Sequence, residues 1–160
     1  ELIVDSEEDL AGLPGNAKAA AFENAKSKEI GSDEDPKWRF TLQAPSYFPV
    51  LEHVHSDSIR KKVWEGTCSI GASGDYDNSD LVWEILELRQ KKAELLGKKD
   101  FADQVLQRRM AKDGATALAF VEDLHQRTKP FFDVETEELQ RYEAQVEGGE
   151  SSAMEPWEIA

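Results

Sequence analysis

Trp38-Arg39-Phe40-Thr41-Leu42-Gln43-Ala44-Pro45-Ser46-Tyr47-Phe48-Pro49-Val50 alternates through its first half and carries two prolines in its second. Trp38, Phe40 and Leu42 share one face, with Arg39, Thr41 and Gln43 on the other, which is the two-residue period of a half-buried strand. Pro45 and Pro49 lack the backbone donor that a strand ladder needs. They therefore punctuate the strand and make its continuation an edge or a bend. Around this stretch the chain reads as helix. The expected class is mainly α: a multi-helix domain fragment with one small β-hairpin or strand pair near residues 38–52.

Upstream, Leu2-Ile3-Val4 reads as the tail of an element. Ser6 followed by Asp9 starts a helix that Gly12-Leu13-Pro14-Gly15 stops, and Asn16 is placed to cap the next helix, to about Ala25. Downstream the period changes. Ile59 and Val63 share a helical face, with Arg60, Lys61 and Lys62 largely outside. Asn78-Ser79-Asp80 caps the clearest helix, whose broad apolar stripe runs from Leu81 through Ile85 and Leu88 to Leu95. Its breadth predicts contacts on more than one side. Gly97 suits the left-handed cap. Asp100 and Asp113 start two more helices, and Pro130 should end or kink the second before it continues through Leu139, Tyr142 and Val146. Gly148 to Ser152 reads as a loop, and Pro156 suits the first turn of another helix.

With 160 residues the chain can build one core of ordinary size. A net charge of −14 argues against nucleic acid and against an anionic membrane surface as partners. Cys68 is the single cysteine, so no internal disulfide forms and an inert thiol is the expected reading. No apolar run has membrane-spanning length and no signal peptide opens the chain, which points to the cytoplasm. The chain begins at Glu1 rather than Met, as an excised piece would.

The order of motifs carries more than any one of them. Leu13-Pro14 precedes Ala19-Ala20-Ala21; then come Arg39-Phe40-Thr41-Leu42, Tyr47-Phe48-Pro49-Val50 and Ile59-Arg60-Lys61-Lys62. Asn78 leads to Glu84-Ile85-Leu86-Glu87-Leu88-Arg89 and Leu95-Leu96-Gly97, followed by Arg109-Met110-Ala111-Lys112, Phe120-Val121-Glu122-Asp123-Leu124 and Pro156-Trp157. In this order, across nearly the whole chain, the sequence resembles the thimet oligopeptidase and oligopeptidase A group of zinc metallopeptidases. The resemblance implies a helical protein whose deep channel admits short peptides, with a zinc ion that acidifies and orients the attacking water. It also implies that residues 1–160 form scaffold and channel wall. The family's H-E-x-x-H pair of imidazoles is absent, and the family places its metal site downstream of the Pro-Trp pair. No catalytic or metal residue is carried over, and no zinc is expected on this chain. The expected partner is the missing C-terminal catalytic half of the same polypeptide, and without it the fragment could self-associate. The other reading is a stand-alone acidic helical protein-interaction module.

Other candidates have simpler explanations. His53 and His55 would share a face of an extended strand, but no third ligand stands near them. Asp75, Asp77 and Asp80 lack the glycine and glutamate of a calcium loop, and helix capping accounts for the cluster. Gly71 to Asp75 lacks the lysine of a phosphate-binding loop. Glu84, Glu87 and Glu94 have the spacing of a solvated helix face. Trp38, Phe40, Tyr47 and Phe48 are better core residues than channel lining. What remains is a strand edge at Arg39, Thr41 and Gln43, where backbone groups could hold an extended peptide by strand addition.

Overall fold

The computed structural model describes residues 1–148 and 153–159. Among these it contains six α-helices and one two-stranded antiparallel sheet, so the chain is mainly α with a strand pair. The helices are α1 (Gly15–Lys26), α2 (Ala44–His53), α3 (Asp57–Cys68), α4 (Ser79–Leu95), α5 (Phe101–Leu106) and α6 (Gly114–Glu147). The strands are β1 (Leu2–Val4) and β2 (Trp38–Phe40). Two compact units result, one from Glu1–Ile70 with Met154–Ala160 and one from Gly71–Ala153.

In the first unit, β2 pairs with β1 and not with the segment after it, with Leu2 opposite Phe40 and Val4 opposite Trp38. The expected strand pair near residues 38–52 is therefore present, with its second strand supplied by residues 2–4. The Tyr-Phe-Pro-Val run is helix α2. Pro45 sits in the first helical turn, where an N–H would have no partner, and the Gln43 carbonyl accepts from the N–H groups of Ser46 and Tyr47. Pro49 lies inside the helix, where it removes one intrahelical donor. The opposing gain is burial: Val50, directly after it, has no exposed surface, and Val54 at the helix exit is buried too. Each such side chain contributes roughly 1.5–3 kcal/mol on leaving water. Tertiary burial therefore overrides the local signal of the two prolines.

Val4, Leu10, Leu13, Ala21, Trp38, Phe40, Val50, Val54, Ile59 and Val63 form one cluster, so β1, β2, α1, α2 and α3 share a core. Ile59 and Val63 are on the predicted face of α3. Two upstream expectations change. The helix expected after Ser6 is a single 3-10 turn, Glu8–Leu10, whose Leu10 is fully buried. Helix α1 starts at Gly15 with no side-chain cap from Asn16, because Pro14 is extended and its carbonyl already accepts from Lys18 N–H. Gly12 has φ +91°, and a Cβ there would lie 2.1 Å from the His53 carbonyl oxygen. Only glycine lets this turn approach the end of α2 so closely.

The second unit holds α4, α5 and α6. Asp100 and Asp113 cap α5 and α6 as expected, accepting from Asp103 N–H at 2.9 Å and Thr116 N–H at 2.7 Å. Gly97, at φ +68°, ends α4 in a Schellman motif: Lys98 N–H donates to Ala93 C=O and Gly97 N–H to Glu94 C=O. Pro130 does not end α6, which continues to Glu147. The hydroxyl of Thr128 donates to the Leu124 carbonyl at 2.9 Å, one of several side-chain bonds along this part of the helix. Ala93 is the one buried hydrophobic residue of this unit among the described residues. Of the loop expected from Gly148 to Ser152, Gly148 is the left-handed cap of α6, and 149–152 lie outside the described residues.

Candidate functional site

The strand-edge candidates lie in the first unit, where β2 leads into α2. Arg39 is the central residue of β2, opposite Ile3. Its guanidinium is already engaged: Nε donates to Glu1 Oε2 at 2.7 Å and Nη1 donates to Asn24 Oδ1 on α1. With its side chain only 15% exposed, Arg39 ties the sheet to α1 and has little charge left to offer a ligand. Thr41 comes directly after the strand. Its N–H donates to Ser46 Oγ at 2.9 Å and its own hydroxyl accepts from Gln43 N–H at 3.4 Å. Gln43 is the exposed residue that precedes α2, extended at φ −82°, ψ 138°, with no capping bond from its side chain.

Thr41 and Gln43 border a cleft of about 180 Å³ with Ala17, Ala20 and Ala21 of α1 as one wall and Phe40 beside them. The alanine spacing explains the cleft. Residues three and four apart on a helix share a face, and small side chains there leave room against β2. A volume of this size admits one side chain or a short backbone stretch. The arrangement can offer hydrogen bonds and shape. The hydroxyls of Thr41 and Ser46 line the cleft with no acidic, basic or histidine side chain beside them in the lining.

The remaining candidates are dispersed. His53 is the last residue of α2, so the two histidines stand at a helix exit and not at a strand exit. Its ring nitrogen is 3.7 Å from Glu52, while His55 donates its backbone N–H to Ala11 C=O. His125 belongs to α6 in the second unit. Among the described residues no three His, Cys, Asp or Glu side chains converge as a metal site. Asp77, the residue before the N-cap Asn78, accepts from Ser79 N–H at 2.8 Å, and hydrogen bonding from the Ser79 side chain and then its backbone N–H holds the carboxyl below the ordinary carboxylate pKa. The cap was expected from Asn78 or Ser79, but Asn78 instead donates its side-chain N–H to Tyr76 C=O. Glu87 and Glu94 pair with Lys91 and Gln90 along α4. Trp38 and Phe40 are core residues, Tyr47 packs on the core, and Phe48 is about half exposed.

A cluster that the sequence did not advertise gathers around Trp157. The 3-10 turn Pro156–Glu158 lies on α3, where Trp157 Nε1 donates to Asp57 Oδ1 at 2.6 Å. The indole meets Trp64 edge to face at 5.6 Å between centroids, and the Lys61 ammonium lies 4.6 Å from its centroid. Arg60 also reaches Asp57, and donates to the carbonyls of Val54 and His55 at the end of α2. Arg60 and Lys61 belong to one sequence motif and Trp157 to another, with no signal in the chain to connect α3 with Trp157. Its partners are 93 to 100 positions away, beyond any local pattern.

Comparison with known proteins adds a lineage to this geometry. Residues 50–160 match the sequence model of peptidase family M3. Oligopeptidase A of Haemophilus influenzae is 33% identical over 164 residues, covering 99% of this chain and 23% of that protein. Oligopeptidase A of Escherichia coli is 32% identical with the same coverage. The organellar oligopeptidase A of Arabidopsis thaliana is 31% identical, covering 99% of the chain and 20% of its own length. The chain thus spans about a quarter of the length of the curated relatives it matches.

Proposed function

The chain belongs to peptidase family M3, and from that premise we propose that it is part of an oligopeptidase A-like zinc metalloendopeptidase that hydrolyses short peptides. The observation that supports this most is the span of the similarity, which runs through 99% of the chain at about a third identity to one region of oligopeptidase A. Within such a protein, residues 1–160 serve as scaffold and channel wall. The described residues do not fit a zinc site, since no three of their His, Cys, Asp or Glu side chains gather where one ion could be held. No step of the hydrolysis is assigned to them. Zinc, its water and the general base belong in this reading to the C-terminal remainder of the polypeptide. A cytoplasmic setting goes with the proposal, and no helix among the described residues is long and apolar enough to cross a membrane.

Arg39, Thr41 and Gln43 enter the proposal as a contact for substrate backbone. Gln43 is the best probe, because its φ of −82° lies at the edge of proline's range and its carbonyl, which starts α2, survives the change. The test uses the full reading frame that contains this stretch and the 160-residue chain separately. The expected result is chelator-sensitive cleavage of short peptides by the former, and neither cleavage nor stoichiometric zinc in the latter. Zinc and peptidase activity that copurify with the short chain would overturn the reading. Unchanged peptide turnover by Gln43→Pro in the active protein would remove the substrate contact and leave the rest.

A second reading, an acidic helical interaction module, draws on the apolar residues that α4 and α6 leave exposed. It predicts a specific protein partner and no hydrolysis by the full reading frame.

A further inference from the structure

Helix α6 carries an apolar row at positions 121, 124, 128, 132, 135, 139, 142 and 146, the three- and four-residue spacing of a single helical face. Six of the eight are Val121, Leu124, Phe132, Leu139, Tyr142 and Val146; Thr128 and Glu135 interrupt them. Phe131 flanks the row. All seven hydrophobic side chains are exposed, Phe131 at 72% and Phe132 at 66%. At 1.5 Å per residue the row is roughly 37 Å long. Its apolar surface is roughly 700 Å², above the few hundred typical of a soluble monomer's patches. That is close to the ~800 Å² each partner gives to an interface of standard size.

We infer that this face of α6 is the docking surface for another segment of the same polypeptide, an amphipathic helix with a basic residue set opposite Glu135. The inference rests on the peptidase reading in one respect: relatives of this chain are about four times its length, so the required surface has a source within the same protein. Charge argues against a second copy. Each chain carries −14, and a two-fold axis through the middle of the row, near Phe132, would bring Glu135 close to its own counterpart. A buried carboxylate needs a cation and hydrogen bonds in compensation, which gives the occupant its basic residue.

The experiment compares Phe131→Ser/Phe132→Ser in the 160-residue chain and in the full-length protein. In the short chain both side chains face water, so its thermal midpoint should move by no more than about 1 °C. In the full-length protein the pair is buried, and the midpoint should fall by roughly 5 °C or more. Amide exchange of residues 121–146 should be at least tenfold slower in the full-length protein than in the short chain. Equal midpoint shifts in both, or equal exchange, would overturn the inference even if the full-length protein is an active zinc peptidase. Slow exchange confined to a dimer of the short chain would overturn it in favour of a second copy. A protected α6 in a full-length protein without peptidase activity would uphold the docking surface and sink the functional reading instead. A reading frame that supplies no further segment would overturn both.

Discussion

At the scale of the residue, Trp157 shows how one side chain can complete a unit from far along the chain. It is 8% exposed, meets Trp64 edge to face, lies under Lys61 and donates to Asp57. Trp157→Ala should therefore cost about 3–5 kcal/mol of first-unit stability, read from denaturant unfolding. Trp157→Phe keeps an aromatic ring but removes the donor, and should cost nearer 1 kcal/mol. Loss of no more than a surface substitution would mean that the indole does not anchor this turn. Asp113 acts locally. Its bond from Thr116 N–H holds the carboxyl below its ordinary pKa of 3.8. A lowered pKa means that the folded state favours the ionised form. The stabilisation is thus fully present above 3.8 and disappears as the pH falls through the lowered value. Amide exchange in the first turn of α6, corrected for intrinsic pH dependence, should accelerate several-fold across that interval. Asp113→Ala should exchange fast at neutral pH and lose the acid dependence.

At the scale of the element, α2 is where local preference and packing disagree. The alternation of residues 38–43 does begin as a strand, but the prolines that locally signal an end to regular structure lie inside a helix. A proline in the first turn is compatible with a helix or a turn, and nothing in the sequence around Pro45 separates the two. Val50 and Val54 make the choice, because helical spacing brings both to the core. Pro49 then stands as a cost. Pro49→Ala restores an N–H in reach of the Pro45 carbonyl, and should stabilise the first unit by about 1–3 kcal/mol in denaturant unfolding. Destabilisation would show that the proline ring contributes packing that outweighs the missing bond. The starts of α5 and α6 and the end of α4 were legible because the capping aspartates Asp100 and Asp113 and the left-handed Gly97 are short-range signals that need no tertiary partner.

At the scale of the whole molecule, charge and uncovered apolar surface dominate. The net charge of −14 repels itself in the folded state, and the ion pairs, Lys91–Glu87 and Lys129–Asp133 among them, are largely at the surface. Screening should outweigh the loss of such pairs. The thermal midpoint should rise by a few degrees between about 10 and about 200 mM sodium chloride, whereas a fall would show that the pairs matter more than the net repulsion. The broad apolar stripe of α4 was expected to have contacts on more than one side, but Leu81, Ile85, Leu88 and Leu95 are exposed in this chain. Hydrophobic periodicity identifies the face that can be buried; it does not name what buries it.

The sequence by itself determined the mainly helical class, the strand at Trp38–Phe40, the caps at Asp100, Asp113 and Gly97, and the peptidase lineage carried by the order of its motifs. These depend on residue type and short spacing, which are written in the chain. Only the tertiary structure decided that β2 pairs with Leu2–Val4, that the Tyr-Phe-Pro-Val run is helical, and that Trp157 returns to α3. Each of those depends on burial and on partners distant in sequence. Their energies come from surface removed from water, which no local pattern records.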